Sequence, residues 1–432
     1  MREIESLPAW RIPLIYLAAT VAAGLSLPRL EHAYIGDYGY GMSTDAAVAL
    51  FSSVSSGMMA LTGIVFAIGF VMLQFNATAY SPRLVDVFGS DPTIFHVLGI
   101  FIATFGYSLA ALSWTDRTHT GTVPPLSTMI VCILLIVSMV ALALLVHKLT
   151  DLHISNVLRR LGERGRAVID ATFHQISTGL DSKLESPGEV PPDLGPATQK
   201  LIYSGRPRVI TEFDHEALVR LAQSTGAVIA IEYAVGDTVI EGSTLLRIYG
   251  ATGLPEAMLL RAIHLGDTRT FEQDPKYAIR LLVDIAIRAL SPAINDPTTA
   301  VQALDQIEDL LRRLGRSELD VGRVHDADGT LRVVYPMPTW KDYLVLSFDE
   351  IRQFGKTSVQ VGRRLRAALA ELAETVCTDS RRKLVQGYLE HLNQMVDFSE
   401  FDDFDRITAR QEDRQGLGLS RSRIGLADAE KP

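Results

Sequence analysis

The chain has few of the residues on which many catalytic and metal sites depend. Its 432 residues include only two cysteines, Cys132 and Cys377, which lie far apart in the sequence. This argues against a disulfide framework and against a cysteine zinc site. The sequence also lacks a G-x-S-x-G nucleophile elbow, an H-E-x-x-H zinc motif and a P-loop. We therefore predict no catalytic residue, no metal site and no cofactor, and expect a protein that is not an enzyme.

The chain also lacks an excess of basic residues. It has 41 Lys and Arg against 50 Asp and Glu, a formal net charge of −9. Residues 1–147 hold 5 of the basic and 8 of the acidic residues, so the remainder is mildly acidic as well. Because binding to a phosphate backbone depends on clustered positive charge, nucleic acid is not a predicted partner.

Long apolar stretches are missing from the last two thirds of the chain but crowd the first third. There are four, at Ile12–Leu27, Ala46–Phe75, Ile94–Leu112 and Leu126–Val146. Each is close to the length of about 20 residues that crosses a hydrocarbon core of about 30 Å. The first also resembles a signal peptide, but the three spans that follow favour a retained anchor. The predicted fold is therefore membrane α-helical with four transmembrane helices, and the lipid bilayer is a predicted partner.

The basic residues around these spans predict the orientation. Arg2 and Arg11 precede the first span, Arg83 lies between the second and third, and Lys148 and several arginines follow the fourth. The positive-inside rule places these segments in the cytoplasm. We therefore expect both termini to be cytoplasmic. Arg83 is a candidate membrane-interface residue, for which a snorkelling side chain is the simpler explanation.

The second span differs from the other three. At 1.5 Å per residue, a helix over 46–75 would be about 45 Å long, more than the hydrocarbon requires. No Asp, Glu, Lys or Arg interrupts it. Polar and small residues recur along it at helical spacing. The pore-lining candidates on this side of the helix are Ser52, Ser56, Met59, Thr62 and Phe66. Such a stripe could line a hydrated path or let membrane helices pack closely, and the sequence leaves both interpretations open.

The chain after the fourth span predicts a cytoplasmic α+β body. We divide the protein into a transmembrane domain (1–147), a connecting helix with a Pro/Gly-rich linker (148–200), a small β-rich unit (201–270), a cytoplasmic helical domain (271–415) and a disordered tail (416–432). Alternating apolar residues predict strands at 209–213, 227–233, 244–249 and 331–335. Helical periodicity after residue 340 predicts a C-terminal bundle.

Two Asp-Pro pairs mark the start of helices in the cytoplasmic domain. Asp274-Pro275 and Asp296-Pro297 each combine a capping carboxylate with proline at the first helical position. Arg280 begins an i,i+4 ladder of charged residues on the first of these helices. The polar-site candidates near this ladder and the following turn are Asp284, Arg288, Ser291, Asn295 and Asp296. They form either a ligand or subunit site, or only helix caps and an intrahelical charge ladder.

Several stretches of the chain together resemble a known family. They are Tyr80–Leu84, Val97–Ile102, Gly236-Asp237, Gln273–Pro275, Leu282–Ala300 and Ser347–Gly355. In these residues the chain resembles the bacterial predicted membrane proteins called domain of unknown function 2254. The resemblance implies a four-span inner-membrane protein with a cytoplasmic body, and it implies no particular activity.

These observations lead to two functional predictions. The first is a homo-oligomeric, channel-like or passive transport protein for a small solute or ion, with a cytoplasmic domain that assembles or gates it. The alternative is a membrane-anchored interaction or sensing protein whose cytoplasmic domain binds a partner or ligand without transport. The long second span supports the first prediction, and the polar turn around Asn295 supports the second.

Overall fold

The computed structural model divides the chain into two compact units, Met1–His153 and Ile154–Pro432. The structure describes residues 10–34, 42–79, 93–113, 122–123, 125–150, 153–173, 194–398 and 400–418. Arg83 lies outside the described residues, as does the predicted tail beyond residue 418.

Within its described residues, the first unit contains four helices that are long and apolar enough to cross a membrane. They are α1 (Arg11–Tyr34), α2 (Thr44–Ala79), α3 (Thr93–Leu112) and α4 (Pro125–Thr150). These helices confirm the four predicted spans. A short antiparallel pair, β1 (Met42–Ser43) and β2 (Thr122–Val123), joins the segments that precede α2 and α4. With 36 residues, α2 is about 54 Å long, so the second span has the predicted excess length.

Helix α3 is the most buried of the four and packs against the other three. The contact with α1 depends on Gly24, where an added Cβ would lie 2.8 Å from the Cβ of Ala110. The contact with α4 includes a hydrogen bond of 2.8 Å between the hydroxyl groups of Thr104 and Ser138. Small residues and hydroxyl hydrogen bonds are the usual means by which membrane helices associate. The first unit is therefore organised around the third span.

Glu31 is a buried carboxylate that connects α1 to the start of α4. Its side chain accepts hydrogen bonds from the backbone nitrogen of Leu126 at 2.7 Å and of Ser127 at 3.2 Å, and from the Ser127 hydroxyl at 3.3 Å. Backbone N–H groups in the first turn of a helix have no partner within the helix, and the helix dipole favours a negative charge there. Glu31 therefore satisfies the N-terminus of α4 although it is only 4% exposed.

The described part of the second unit contains two β-sheets. Their strands are β3 (Gln199–Ile202), β4 (Arg208–Phe213), β5 (Val228–Ile231), β6 (Thr238–Val239), β7 (Thr244–Tyr249), β8 (Ile263–Gly266), β9 (Arg323–His325) and β10 (Leu331–Val334). One sheet has the order β3-β7-β5-β10-β9 and the other has the order β6-β4-β8. Neighbouring strands are antiparallel except β5 and β10, which run parallel with Val333 opposite Ile229.

The sheets enclose an apolar core and draw strands from distant parts of the chain. Ile210, Phe213, Ile229 and Leu246 are among its buried residues. Two strands, β9 and β10, come from beyond the range 201–270 in which the sequence predicts the β-rich unit. Sequence periodicity shows that a segment can form a strand, but it does not show which distant strand will pair with it.

The described part of the second unit contains eight helices before residue 398. They are α5 (Ile154–Thr172), α6 (His215–Thr225), α7 (Glu256–Arg261), α8 (Pro275–Ala289), α9 (Pro297–Leu314), α10 (Trp340–Phe354), α11 (Val359–Thr375) and α12 (Asp379–Asp397). A ninth, α13 (Asp403–Ala409), packs on α11. The predicted capping carboxylates are present, since Asp274 and Asp296 each accept a hydrogen bond from a backbone nitrogen three residues later. Together with the sheets, these helices confirm the predicted α+β fold of this part of the chain.

Helices α5 and α9 lie side by side and run in the same direction. Near their N-terminal ends, the Ser155 hydroxyl donates to the side-chain oxygen of Gln302 at 3.3 Å. Near their C-terminal ends, Arg313 donates to both carboxylate oxygens of Asp170 at 3.1 Å. Residue numbers rise together along the contact, so the two helices are parallel. Their N-terminal ends are therefore level with each other.

Gly165 allows α5 to approach its neighbours, and we expect Gly165→Ala to destabilise the protein by about 1–3 kcal/mol. An added Cβ would lie 2.7 Å from Leu310 Cδ1 on α9 and 3.0 Å from Ala278 Cβ on α8. Chemical denaturation of the full chain in detergent would measure the change. The matched control is Gly387→Ala in α12, where the added Cβ meets no described atom within 4 Å. There alanine should stabilise by about 0.5–1 kcal/mol, because it is the better helix former. Equal effects at the two positions would contradict the close approach of α5.

Candidate functional site

The pore-lining candidates lie along one exposed face of α2. Ser52, Ser56, Met59 and Phe66 are exposed, and Thr62 is half-buried at the edge of the same face. We call these five residues the α2 stripe. Met59 is 59% exposed and Phe66 is 65% exposed, so even the large side chains of the stripe have little contact with the part of the chain that the structure describes. The structure therefore brings all five candidates onto one surface.

A different face of α2, about 110° around the helix from the stripe, forms the contact with α3. Phe51, Val54, Met58 and Val65 are buried in the core of the first unit. Their spacing of three, four and seven residues is that of one helix face. Gly63 lies on the same side of α2 as the stripe, and a Cβ added there would meet no described atom within 4 Å. The stripe thus lies mostly outside the contacts that α2 makes with the described helices of the first unit.

The charged ladder on α8 forms an ion-pair network with α10. The Arg280 guanidinium donates to Asp284 Oδ1 at 2.8 Å and to the two oxygens of Glu350 at 3.0 and 2.6 Å. Burial disfavours the charged guanidinium, but the hydrogen bonds and charges of Glu350 and Asp284 outweigh it and raise the pKa of Arg280. The pair between Arg280 and Glu350 therefore connects α8 to α10, and Asp284 binds the same guanidinium from within α8.

The turn between α8 and α9 holds the remaining polar candidates. Asn295 has a φ of 49° and is the only non-glycine residue with positive φ in the described chain. Its backbone nitrogen donates to the Ser291 carbonyl at 2.9 Å, and the Asp296 nitrogen donates to the Ala289 carbonyl at 2.8 Å. The Asp296 carboxylate accepts from the Thr299 backbone nitrogen at 3.1 Å and from the Thr299 hydroxyl at 2.6 Å. Asp296 thus caps α9, and Asn295 occupies the left-handed conformation that the turn requires.

Arg288 and Asn295 are exposed, whereas Ser291 and Asp296 are half-buried. The carboxylates of Asp284 and Asp296 hydrogen-bond to different partners, Arg280 in one case and Thr299 in the other. The structure accordingly places the five polar candidates on one helix and its following turn. Only Arg288 and Asn295 present their side chains to the solvent.

A second polar cluster surrounds the N-terminus of α8. Asp274 is 2% exposed and accepts hydrogen bonds from Arg269 Nε at 2.8 Å, from Arg269 Nη2 at 2.6 Å and from the Tyr277 nitrogen at 3.2 Å. Burial raises the pKa of Asp274, although the Arg269 guanidinium opposes this rise. The pKa of the buried Tyr343 phenol is also raised, first by burial and then by the negative charge of Asp274. This cluster joins α8 to α10 and to the turn that follows β5.

Glycine at position 236 is required for this contact. Gly236 has a φ of 90°, and an added Cβ would lie 2.5 Å from Asp274 Oδ2. The neighbouring Gln273 side chain pairs with the backbone of Phe213, accepting from its nitrogen and donating to its oxygen at 3.1 Å each. Two of the stretches that carry the family resemblance, Gly236-Asp237 and Gln273–Pro275, are therefore neighbours in the structure although nearly 40 residues separate them.

Comparison with known proteins identifies the family. The sequence profile described as "Predicted membrane protein (DUF2254)" matches residues 8–371, which is most of the chain. The chain belongs to this family. Uncharacterised proteins of Mycobacterium bovis and Mycobacterium tuberculosis are 30% identical to it over 343 residues. The match covers 77% of this chain but only 65% of each relative, so the chain spans less than two thirds of their length. No solved structure matches the chain. The family and the four apolar helices identify a membrane protein.

Arg269, Tyr343 and Glu350 belong to these polar clusters although no sequence pattern predicts it. Glu350 lies within the Ser347–Gly355 stretch that resembles the family, which is the one signal that pointed to it. Nothing in the local sequence pairs Arg269 with Asp274 in particular, because arginine and aspartate are common in loops. The candidate Arg83 lies outside the described residues.

Proposed function

We propose that the protein is a homo-oligomeric, channel-like or passive transport protein of a bacterial inner membrane. Copies of α2 would surround the path of a small solute or ion. The observation that carries the proposal is the outward orientation of the α2 stripe, whose Ser52 and Ser56 are exposed while Phe51 and Val54 are buried. A helix face that meets only lipid gains nothing from serine, whereas hydroxyl groups stabilise contacts between membrane helices or line a hydrated path.

The side chains of the α2 stripe suggest a path with two parts. Ser52 and Ser56 would form a hydrated part, since their hydroxyl groups can bond to water. Met59 and Phe66, one to three turns further along α2, would form an apolar constriction. A ring of such side chains can close a path by excluding water from it. The lack of Asp, Glu, Lys and Arg over 46–75 favours a path without strong charge selectivity.

The second unit would lie in the cytoplasm in this proposal. The basic residues in the segments that contain Arg11, Arg83 and Lys148 favour a cytoplasmic location of both termini. The second unit would then assemble or gate the oligomer from the cytoplasm, and it would do so without enzymatic activity. The alternative function, a membrane-anchored interaction or sensing protein, is supported by the exposed Arg288 and Asn295, which a partner or ligand could contact.

Replacing Phe66 with alanine tests the proposed constriction. We expect Phe66→Ala to raise solute or ion flux on the order of tenfold, because a barrier lower by about 1.4 kcal/mol corresponds to that factor. The measurement is the efflux of ions and small dyes from liposomes that contain the full chain, together with single-channel recording. Native mass spectrometry in detergent would give the number of copies in the assembly.

The matched control is Ile64→Ala. Ile64 is 55% exposed at a similar depth, but at 100° per residue it lies about 160° around α2 from Phe66. It should leave the flux unchanged. If neither the parent protein nor Phe66→Ala exceeds empty vesicles, the channel proposal is wrong and the interaction protein becomes the better one. Equal effects of Phe66→Ala and Ile64→Ala would also contradict a path lined by the α2 stripe.

A further inference from the structure

The turn between α8 and α9 presents an apolar tip. Pro292, Ala293 and Ile294 are all exposed, with Ile294 at 41%. The backbone hydrogen bonds from Asn295 and Asp296 back to Ser291 and Ala289 close the turn on itself. The backbone therefore keeps the three apolar residues on the surface of the second unit. Exposure of apolar side chains to water is unfavourable, so their burial against an apolar partner would be favourable.

The packing of α5 places this tip at one particular end of the second unit. Helix α5 is parallel to α9, since Ser155 meets Gln302 near the N-terminal ends of both helices. It runs beside α8 as well, because Gly165 lies against Ala278. Pro297, which begins α9, lies five residues before Gln302, so it is about level with the start of α5. The tip is thus located beside the N-terminal end of α5.

The N-terminal end of α5 cannot move far from the bilayer. Helix α4 ends at Thr150 and α5 begins at Ile154, so four Cα-to-Cα steps join them. A chain of that length spans at most about 14 Å. The apolar window of α4 extends to His147, three residues before the end of the helix. The interfacial layer beyond the hydrocarbon is itself about 5–7.5 Å thick on each side. The tip is therefore tethered within reach of the membrane interface.

The charges around the tip fit the same surface. Residues 148–160, which include the start of α5, contain 3 basic residues and 1 acidic residue. Arg288 is exposed in the last turn of α8, close to the tip in sequence. Basic side chains next to exposed apolar residues are the usual composition of segments that bind the interface of anionic membranes.

We propose that the α8–α9 turn is a membrane-contacting tip. Pro292, Ala293 and Ile294 lie in the interfacial layer of the bilayer that holds α4, and Arg288 lies near the lipid phosphates. The tip gives the second unit a point of contact with lipid in addition to its covalent connection. This inference does not depend on transport, since it holds equally for a channel and for an anchored interaction protein.

Spin-label accessibility measures the contact directly. The full chain with Cys132→Ser and Cys377→Ser receives a nitroxide at Ile294→Cys and is placed in nanodiscs of phosphatidylethanolamine and phosphatidylglycerol. We expect the ratio of oxygen accessibility to nickel-chelate accessibility to be several-fold larger there than at a control label at Ile407→Cys. Ile407 is 64% exposed on α13, so its label samples an exposed isoleucine position in the same unit. A label at Ala293→Cys should give the same result as Ile294→Cys.

Two outcomes would overturn the proposal. An accessibility ratio at 293 and 294 equal to that at 407 would show that the tip is in water. Strong dipolar broadening between labels of different copies, with a low oxygen ratio, would show that a second copy of the chain covers the tip. Size-exclusion profiles that match the parent protein would establish that each labelled variant is folded, as expected for substitutions at exposed positions.

Discussion

Replacing Gly236 with alanine is expected to destabilise the second unit by about 3–5 kcal/mol. The added Cβ would lie 2.5 Å from Asp274 Oδ2 and 2.8 Å from Arg269 Nη2, in a backbone conformation with φ at 90°. Asp274 is buried and already pairs with Arg269 while it caps α8, so a shift of its carboxylate would disturb both contacts. Breaking a buried ion pair leaves a charge without compensation, which is the largest part of the expected loss. Chemical denaturation of the full chain in detergent would measure it.

Gly242→Ala is the control that separates backbone strain from the contact with Asp274. Gly242 has a φ of 85°, and an added Cβ there would meet no described atom within 4 Å. Alanine at this position should therefore cost only the strain of a left-handed conformation, about 1–2 kcal/mol. A Gly236→Ala variant that loses no more stability than Gly242→Ala would show that the Asp274 cluster tolerates the added methyl group.

The features that the sequence predicted well are those that depend on neighbouring residues. Asp274 and Asp296 cap their helices as predicted, because a cap needs only a carboxylate and the backbone nitrogen three residues later. The four apolar spans were also predictable, because a span needs only a continuous apolar segment of sufficient length. The α2 stripe was recognisable because Ser52 and Ser56 recur at a spacing that places them on one side of a helix.

The features that the sequence could not predict depend on long-range contacts. Arg280 and Glu350 are 70 residues apart, and only the packing of α8 on α10 makes them partners. The parallel pairing of β5 with β10 joins residues more than 100 positions apart. The sequence predicts Asp284 either as a member of a binding site or as part of an intrahelical charge ladder, and the structure shows its ion pair with Arg280 on the same helix. A charged residue at helical spacing has the same pattern in both cases, and only its partner distinguishes them.

Replacing Arg364 with methionine is expected to destabilise the helical part of the second unit by about 3–5 kcal/mol. The Arg364 side chain is 6% exposed and connects α11 to α9. It donates to Asp305 Oδ1 at 2.8 Å and to Glu308 Oε2 at 2.6 Å. Burial raises the pKa of Asp305 and the Arg364 charge opposes this rise, so the ionised carboxylate becomes still less favourable without the arginine. Denaturation of the variant and its parent at neutral pH would measure the loss.

A second substitution determines whether the loss comes from the missing side chain or from the carboxylate that it leaves behind. Glu308 is 7% exposed and also accepts from Arg312, which keeps Glu371 as a second partner. In Arg364→Met with Glu308→Leu, two buried charges are replaced by apolar groups, and such exchanges are often neutral or stabilising. We therefore expect the double variant to recover at least half of the stability that Arg364→Met loses. If it loses more than the sum of the two single variants, the ion pair is not what connects α9 to α11, and the packing of the long side chains is. A single Arg364→Met variant within about 1 kcal/mol of the parent would show instead that Arg312 already satisfies Glu308.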